Sequence, residues 1–343
     1  MTLIITNGDI VADTLKTAGI ATTIVPWRDT LVDGPVPLTS DLATLDEIRA
    51  AFLSDAFAVP LHEIEDEFAA RREQLEAITP GQPVELWFEH DLYDQLQLFQ
   101  TLDALNRRGA VTNVHLVQAN DYLGRHAAET IIRFAGAKRS LTETDFEIAS
   151  QVWTAYCSST PEAWAALSTD PDLARFPFLR SAMLRAIEEL PGTRDGLSRT
   201  ERRMLQALAE GHTTPQSLFL DNQRSETAVF LGDWSFWSRL DGLCFTAEPL
   251  IAGIPERFRD IHCEMSDSFT PEIMIPQAPD ADRLNAYFFA ELSLTDFGRA
   301  VLEGQADHVV ENEIDRWWGG THLTNQRCWR WDDAAQSLVS PAS

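Results

Sequence analysis

Val84-Glu85-Leu86-Trp87-Phe88 runs into Glu89-His90-Asp91 and then Leu92-Tyr93-Asp94-Gln95-Leu96, and this stretch sets the architecture. The first five residues are a bulky apolar run of strand length bounded by polar residues. From Asp91 to Arg107, Leu92, Leu96, Phe99, Leu102 and Leu105 recur at helical spacing and predict an amphipathic helix. A buried strand feeding such a helix is the repeating piece of a parallel sheet with crossover connections.

Three further runs read the same way on either side of it: Leu3–Thr6, Thr22–Val25 and Val114–Gln118. Ile10–Ala18, ended by Gly19, is a short helix between the first two. The stretch from Asp41 to Thr79 is charged, helical in pattern and split by Pro60, so it reads as a helical insertion. Residues 121–190 carry four helical patterns. The expected class is α/β, with a parallel, Rossmann-like sheet and its insertion over residues 1–140 and a helical connector over 141–190.

Past Leu190-Pro191-Gly192 the pattern changes. Ser198-Arg199-Thr200-Glu201 is a capping box opening a helix with Met204, Leu205 and Leu208 on one face. Thr214-Pro215 starts a second helix, Asp233–Leu240 is a third, and Leu294-Thr295 caps a later one. Residues 191–343 therefore read as a winged-helix-like α+β domain.

The chain has 343 residues, 27 Lys and Arg against 53 Asp and Glu, and a formal net charge of −26. Such a field repels phosphate backbones, so nucleic acid is the less favoured partner. The candidate recognition helix, Asp233–Leu240, carries one arginine, Arg239, among large aromatics, which fits a protein contact better than a DNA contact. The cysteines Cys157, Cys244, Cys263 and Cys328 form no C-x-x-C pair, and reduced thiols are expected. No run approaches the 18 or so apolar residues of a membrane span and no leader pattern opens the chain, so a cytoplasmic protein is expected.

The chemistry-bearing residues follow the predicted strands: Asn7-Gly8-Asp9, Trp27-Arg28-Asp29 with Asp33-Gly34, Glu89-His90-Asp91, and Asn120-Asp121. Carboxyl ends of parallel strands share one edge, where open α/β folds bind ligands. Two readings stand side by side. Asp9, Asp91, Asn120 and Asp121 each fit a helix N-cap, and Arg28 fits an ion pair with Asp29 or Glu89. As a site, Asp9, Asp29, Glu89 and Asp91 would offer hard oxygen ligands to Mg²⁺ or Mn²⁺, and His90 would favour Mn²⁺ or another transition metal. These acids and His90 are also the catalytic candidates. Arg28 would hold a phosphate or carboxylate, and Gly8 would let a ligand approach the helix N-terminus. Neither a G-x-G-x-x-G fingerprint nor a P-loop is present.

These residues carry a resemblance. Asn7-Gly8-Asp9, Trp27-Arg28-Asp29 with Asp33-Gly34-Pro35-Val36-Pro37, and Leu86 through Leu96 resemble a bacterial family called domain of unknown function 1835. In the back half Gly196-Leu197-Ser198-Arg199-Thr200-Glu201, Leu231-Gly232-Asp233 and Asp315-Arg316-Trp317-Trp318-Gly319-Gly320 resemble it too. The resemblance brings no established activity. It implies that the strand-end residues form the family's pattern, and it adds Asp94 and Gln95 to the ligand-facing set with Asn7, Gly8, Trp27, Arg28, Asp33 and Gly34. The expected function is binding of a small phosphorylated or nucleotide-like ligand, with Mg²⁺ or Mn²⁺ as the candidate metal. The alternative is a ligand-responsive transcriptional regulator or protein-interaction module working through the winged-helix-like region.

Overall fold

A computed structural model of the chain describes residues 2–21, 23–109, 113–261 and 280–341. Cys263 lies outside them. The chain divides into two compact units: unit 1 is Met1–Ser54, Val59–Ala186 and Trp317–Thr321, and unit 2 is Asp55–Ala58, Ile187–Arg316 and His322–Ser343.

Unit 1 is built on the predicted strands. In chain order it holds β1 (Leu3–Thr6), α1 (Asp9–Thr17), β2 (Thr23–Pro26), α2 (Leu42–Phe57), α3 (Leu61–Glu76), β3 (Val84–Phe88), α4 (Leu92–Arg108) and β4 (Val114–Gln118). There follow α5 (Ala128–Ile131), β5 (Arg139–Ser140), α6 (Glu143–Tyr156), α7 (Glu162–Leu167) and α8 (Leu179–Ile187). The sheet order is β2-β1-β3-β4-β5, with the first four strands parallel. All residues of β1 and β3 are buried, the continuous apolar pattern of a sheet covered on both faces. The two-residue edge strand β5, antiparallel to β4, is too short to leave a pattern in the sequence.

On one face Ile4, Trp87 and Val117 pack with Val11 and Leu15 of α1 and with Leu123, Ile131 and Phe134. The next residues along β3, Leu86 and Phe88, point the opposite way because strand side chains alternate. α4 packs against α6. The predicted one-sided amphipathicity of α4 is only part of its environment, since Asp94, Gln95, Gln97, Gln100, Thr101 and Asp103 are buried as well. Its polar side is covered by protein: Gln97 Nε2 donates to the Asp29 carbonyl (2.9 Å), and Gln100 Oε1 accepts from Trp27 Nε1 (2.7 Å).

The insertion folds as two helices separated at Pro60, as expected. Fully buried Arg49 of α2 clasps Asp29 (Nη2–Oδ1 2.7 Å) and donates to the carbonyls of Thr30, Asp33 and Pro35. It thereby holds the whole turn after β2. Gly34, at φ 73°, sits under Phe52, where a Cβ would come within 2.3 Å of the ring. Arg71 of α3 lies over Trp27 (4.5 Å) and, with Arg72, grips Asp46.

Trp317–Thr321 completes unit 1 from far along the chain. Trp318 meets the rings of Tyr156 (5.6 Å) and Trp164 (6.0 Å). Gly320 donates its N–H to the Tyr156 carbonyl (2.9 Å), and Val36 donates to the Gly319 carbonyl (2.9 Å).

Unit 2 contains α9 (Arg199–Ala209), α10 (Pro215–Ser225), α11 (Asp233–Cys244), β6 (Ile251–Ala252), α12 (Ala281–Phe288), β7 (Ser293–Leu294) and α13 (Asp296–Leu302). The capping box opens α9 as predicted: Ser198 N–H donates to Glu201 Oε2 (2.7 Å) and Glu201 N–H donates to Ser198 Oγ (3.2 Å). Thr214 caps α10, and Thr295 caps α13. β6 and β7 pair antiparallel, two residues each, and the stretch between them includes residues outside the described set. Among the described residues, no helix is long and apolar enough to cross a membrane.

Candidate functional site

The carboxyl ends of β1, β3 and β4 meet around three acids. β1 ends at Thr6, whose Oγ1 donates to the Trp87 carbonyl (2.8 Å) and ties the two strand ends together. The next residue, Asn7, reaches across so that Nδ2 donates to Asp94 Oδ2 (2.7 Å). Gly8, at φ 129°, turns the chain directly from β1 into α1 in a conformation that side chains avoid.

β3 ends at Phe88, and Glu89 begins the turn into α4. Its N–H donates to Asp94 Oδ1 (2.6 Å), and its carbonyl accepts from Gln95 Nε2 (2.7 Å). Its own Oε1 accepts from the Leu123 N–H (2.6 Å), just beyond β4. Asp91 is the N-cap of α4, accepting from the Asp94 N–H (3.2 Å). Gln118, at the end of β4, donates to Gln95 Oε1 (3.3 Å). The capping reading of Asp91 and the site reading therefore hold at once.

One carboxylate oxygen from each of Glu89, Asp91 and Asp94 lies within 4.8 Å of the others. The three residues are 5%, 3% and 1% exposed. Among the described residues no arginine, lysine or histidine acts on any of them as a counter-charge. Burial, and then the Asp91 charge, raises the Glu89 carboxyl to about 7. Burial raises Asp91 to about 7. Asp94 is raised well above the usual carboxylate range by burial and by its two acidic neighbours. Three buried acids at this spacing hold protons or share a cation.

The other predicted residues are placed elsewhere. Asp9 is the first residue of α1, with a largely exposed carboxylate that takes Arg28 as its partner (Nε–Oδ2 2.7 Å). Arg28 also approaches Glu67 (3.5 Å), so its ion pairs are with neither Asp29 nor Glu89. Its guanidinium holds the Asp9 carboxyl below the usual range. Asp29 is buried against Arg49. Trp27 is fully buried, and Asp33 and Gly34 shape the turn that Arg49 grips. His90 is not part of the acidic cluster: its ring lies 4.9 Å from Tyr122 and 5.9 Å from Phe178. Its Nδ1 is buried without a hydrogen-bond partner, and burial lowers its pKa.

Asn7 and Asp94 come from the expected ligand-facing set, and the Leu123 N–H is the member that the sequence did not point to. Asp94 carries a signal, because it stands one turn into a helix beginning at a strand end. The Leu123 amide carries none.

Two other features deserve comparison with this one. Glu210, His212 and Asp221 of unit 2 also converge, but Arg203 already bridges Asp221 (Nε–Oδ2 2.6 Å) and Glu210 (Nη2–Oε2 2.9 Å). A cavity of about 390 Å³ in unit 2 is lined by Val309, Val310, Asn325, Cys328 and Arg330, and Asp307 neutralises that arginine. Among the described residues, only the acids at the strand ends combine convergence, burial and the lack of a counter-charge. No protein-family model matches the chain, and no curated protein matches it.

Proposed function

We propose that the strand-end edge of unit 1 binds a divalent cation, Mg²⁺ or Mn²⁺, through Glu89, Asp91 and Asp94, and through it a small phosphorylated ligand. The observation that carries this reading is the mutual approach of three buried carboxylates with no protein cation among them. Oxygens sharing one octahedral ion stand about 3 to 4 Å apart, so a small contraction would suffice. All three donors are carboxylate oxygens, the chemistry hard cations prefer. The outer hydrogen bonds from Asn7, the Glu89 amide and the Leu123 amide orient the carboxylates as second partners do in metal sites.

A phosphate would be repelled by these acids directly, so the cation is what makes a phosphorylated ligand compatible with them. The acids are at most 5% exposed, so what reaches them is the size of an ion or a water. The residues that resemble domain of unknown function 1835 include all three acids and Asn7. The regulator reading has less support. The arginines of α9 are engaged by acids, Arg199 by Glu188, Arg202 by Asp195 and Arg203 by Asp221 and Glu210, which weighs against phosphate contacts there.

The test is a titration with Mn²⁺, reading the free ion by electron paramagnetic resonance. The wild type is expected to take up one ion saturably, and Asp91→Asn, which keeps a good N-cap, to weaken it at least about tenfold. Equal uptake by the variant, or no uptake by the wild type, would end the proposal.

A further inference from the structure

Each unit is completed by a short piece of chain that arrives from the far side of the Ala186–Ile187 boundary. Unit 2 takes Asp55–Ala58, and unit 1 takes Trp317–Thr321. The first piece is the end of α2, a helix whose earlier turns bury Leu45, Asp46, Arg49, Ala50 and Leu53. Its last residue, Phe57, meets the Trp234 ring edge-on at 5.9 Å, and Trp234 meets Phe258 at 5.0 Å. Asp55 pairs with Arg259 (3.3 Å). Ala58 then takes a left-handed φ of 53°, a turn usually left to glycine, and the chain is back in unit 1 at Val59.

The second piece is seated more closely. Besides the backbone bonds of Gly319 and Gly320, Trp318 Nε1 donates to the Ala186 carbonyl (2.7 Å) and Thr321 Oγ1 to the Ser158 carbonyl (3.1 Å). The fit leaves no room for side chains between the backbones. A Cβ on Gly320 would lie 1.9 Å from the Cys157 carbonyl oxygen, and one on Gly319 2.4 Å from that of Tyr156. The piece is the tip between β8 (Asp315–Trp318) and β9 (Thr321–Thr324), and the residues flanking it, Arg316 and His322, already belong to unit 2.

We propose that the two exchanged pieces are clasps that bind the units into one cooperative structure. Domains joined only end to end are free to unfold in separate steps. Here, when unit 2 opens, the tip stays seated only by closing a long loop of unfolded chain from Ile187 to Arg316, an entropic cost that the folded unit had removed. When unit 1 opens, Phe57 loses the helix that presents it to Trp234. Whatever stabilises unit 1, a bound ligand included, therefore protects unit 2 as well.

The experiment is hydrogen exchange of the full chain, read by mass spectrometry across a urea series, with β3 reporting on unit 1 and α9 on unit 2. The wild type is expected to open both at one urea midpoint. Gly320→Ala should expel the tip and open unit 1 first. Phe57→Ala should open unit 2 first, and each variant should part the two midpoints by about 0.5 M urea or more. Thr321→Val, which removes only the hydroxyl bond to Ser158, is the milder cut of the tip should Gly320→Ala fail to fold, with the same order of opening. Leu86→Ala, a core cut in β3 outside both pieces, should lower the common midpoint without dividing it. Two midpoints in the wild type, a common midpoint in Phe57→Ala or in the tip variant, or a division in Leu86→Ala as well would each overturn the proposal.

Discussion

Unit 1 buries two groups of acids and treats them in opposite ways. Asp29 and Asp46, around the turn after β2 and its helical insertion, face Arg49 and the Arg71–Arg72 pair. Glu89, Asp91 and Asp94, at the ends of the strands, face one another and backbone amides. In the first group each acid meets an arginine, and the remaining donors of Arg49 go to carbonyls, while Arg71 Nε is buried without a partner. The second is closed only when protons or a cation arrive. Burial alone therefore does not mark a site; burial without an internal counter-charge does.

The largest expected effect breaks the first group. Arg49→Ala leaves Asp29 charged in the interior and three carbonyls without their donor, and should cost about 3–5 kcal/mol in urea unfolding. A loss below about 1 kcal/mol would mean that this pair is no more structural than the strand-end acids, and the contrast would collapse.

The second group predicts the reverse sign. With chelator present, Asp91→Asn removes one of three mutually repelling acids and keeps the cap, so stability should hold or rise by roughly 1–2 kcal/mol. If the same substitution destabilised the chelated protein by several kcal/mol, Asp91 would belong with Asp29 as a structural acid.

A further effect is a slope with pH. Glu89 and Asp91 are raised to about 7 in the folded chain, above their ordinary values of 4.5 and 3.8, so the folded state binds more protons than the unfolded one. Their contribution is fully present below about 4 and is lost as pH rises through about 7. Asp145 runs the other way. Arg175, Thr142 and Arg139 outweigh burial and hold its carboxyl at about 2, so its contribution is present above 3.8 and lost as pH falls through about 2. Urea midpoints from pH 5 to 8 in chelator should decline, and Mn²⁺ should flatten or reverse the decline because it binds the ionised acids. A rise with pH in chelator would contradict the proton-holding role of the pair.

The sheet was readable because buried parallel strands are short, unbroken apolar runs. Leu3–Thr6, Val84–Phe88 and Val114–Gln118 stand where their patterns put them. The second strand runs Thr23–Pro26, with Thr22 outside the described residues. Position at a strand end also pointed to Glu89 and Asp91. What the pattern lacked was direction: Asp9, Asp29 and Glu89 all follow strands, yet one faces solvent, one an arginine and one its fellow acids. The partner that decides Asp29, Arg49, sits 20 residues away in an insertion that the sequence marks only as charged and helical. Likewise the buried glutamines of α4 look like an ordinary polar stripe until Trp27 and Asp29 are seen to cover them.

Trp317–Thr321 has a consequence for how the chain comes to its folded state. A ribosome releases Tyr156 and Trp164 long before it releases Trp318, the ring they meet, and before Gly319 and Gly320, which bond to Val36 and Tyr156. An earlier-made part of unit 1 is thus finished by a piece made long after it, and its nascent form waits with an incomplete aromatic corner while most of unit 2 is being made.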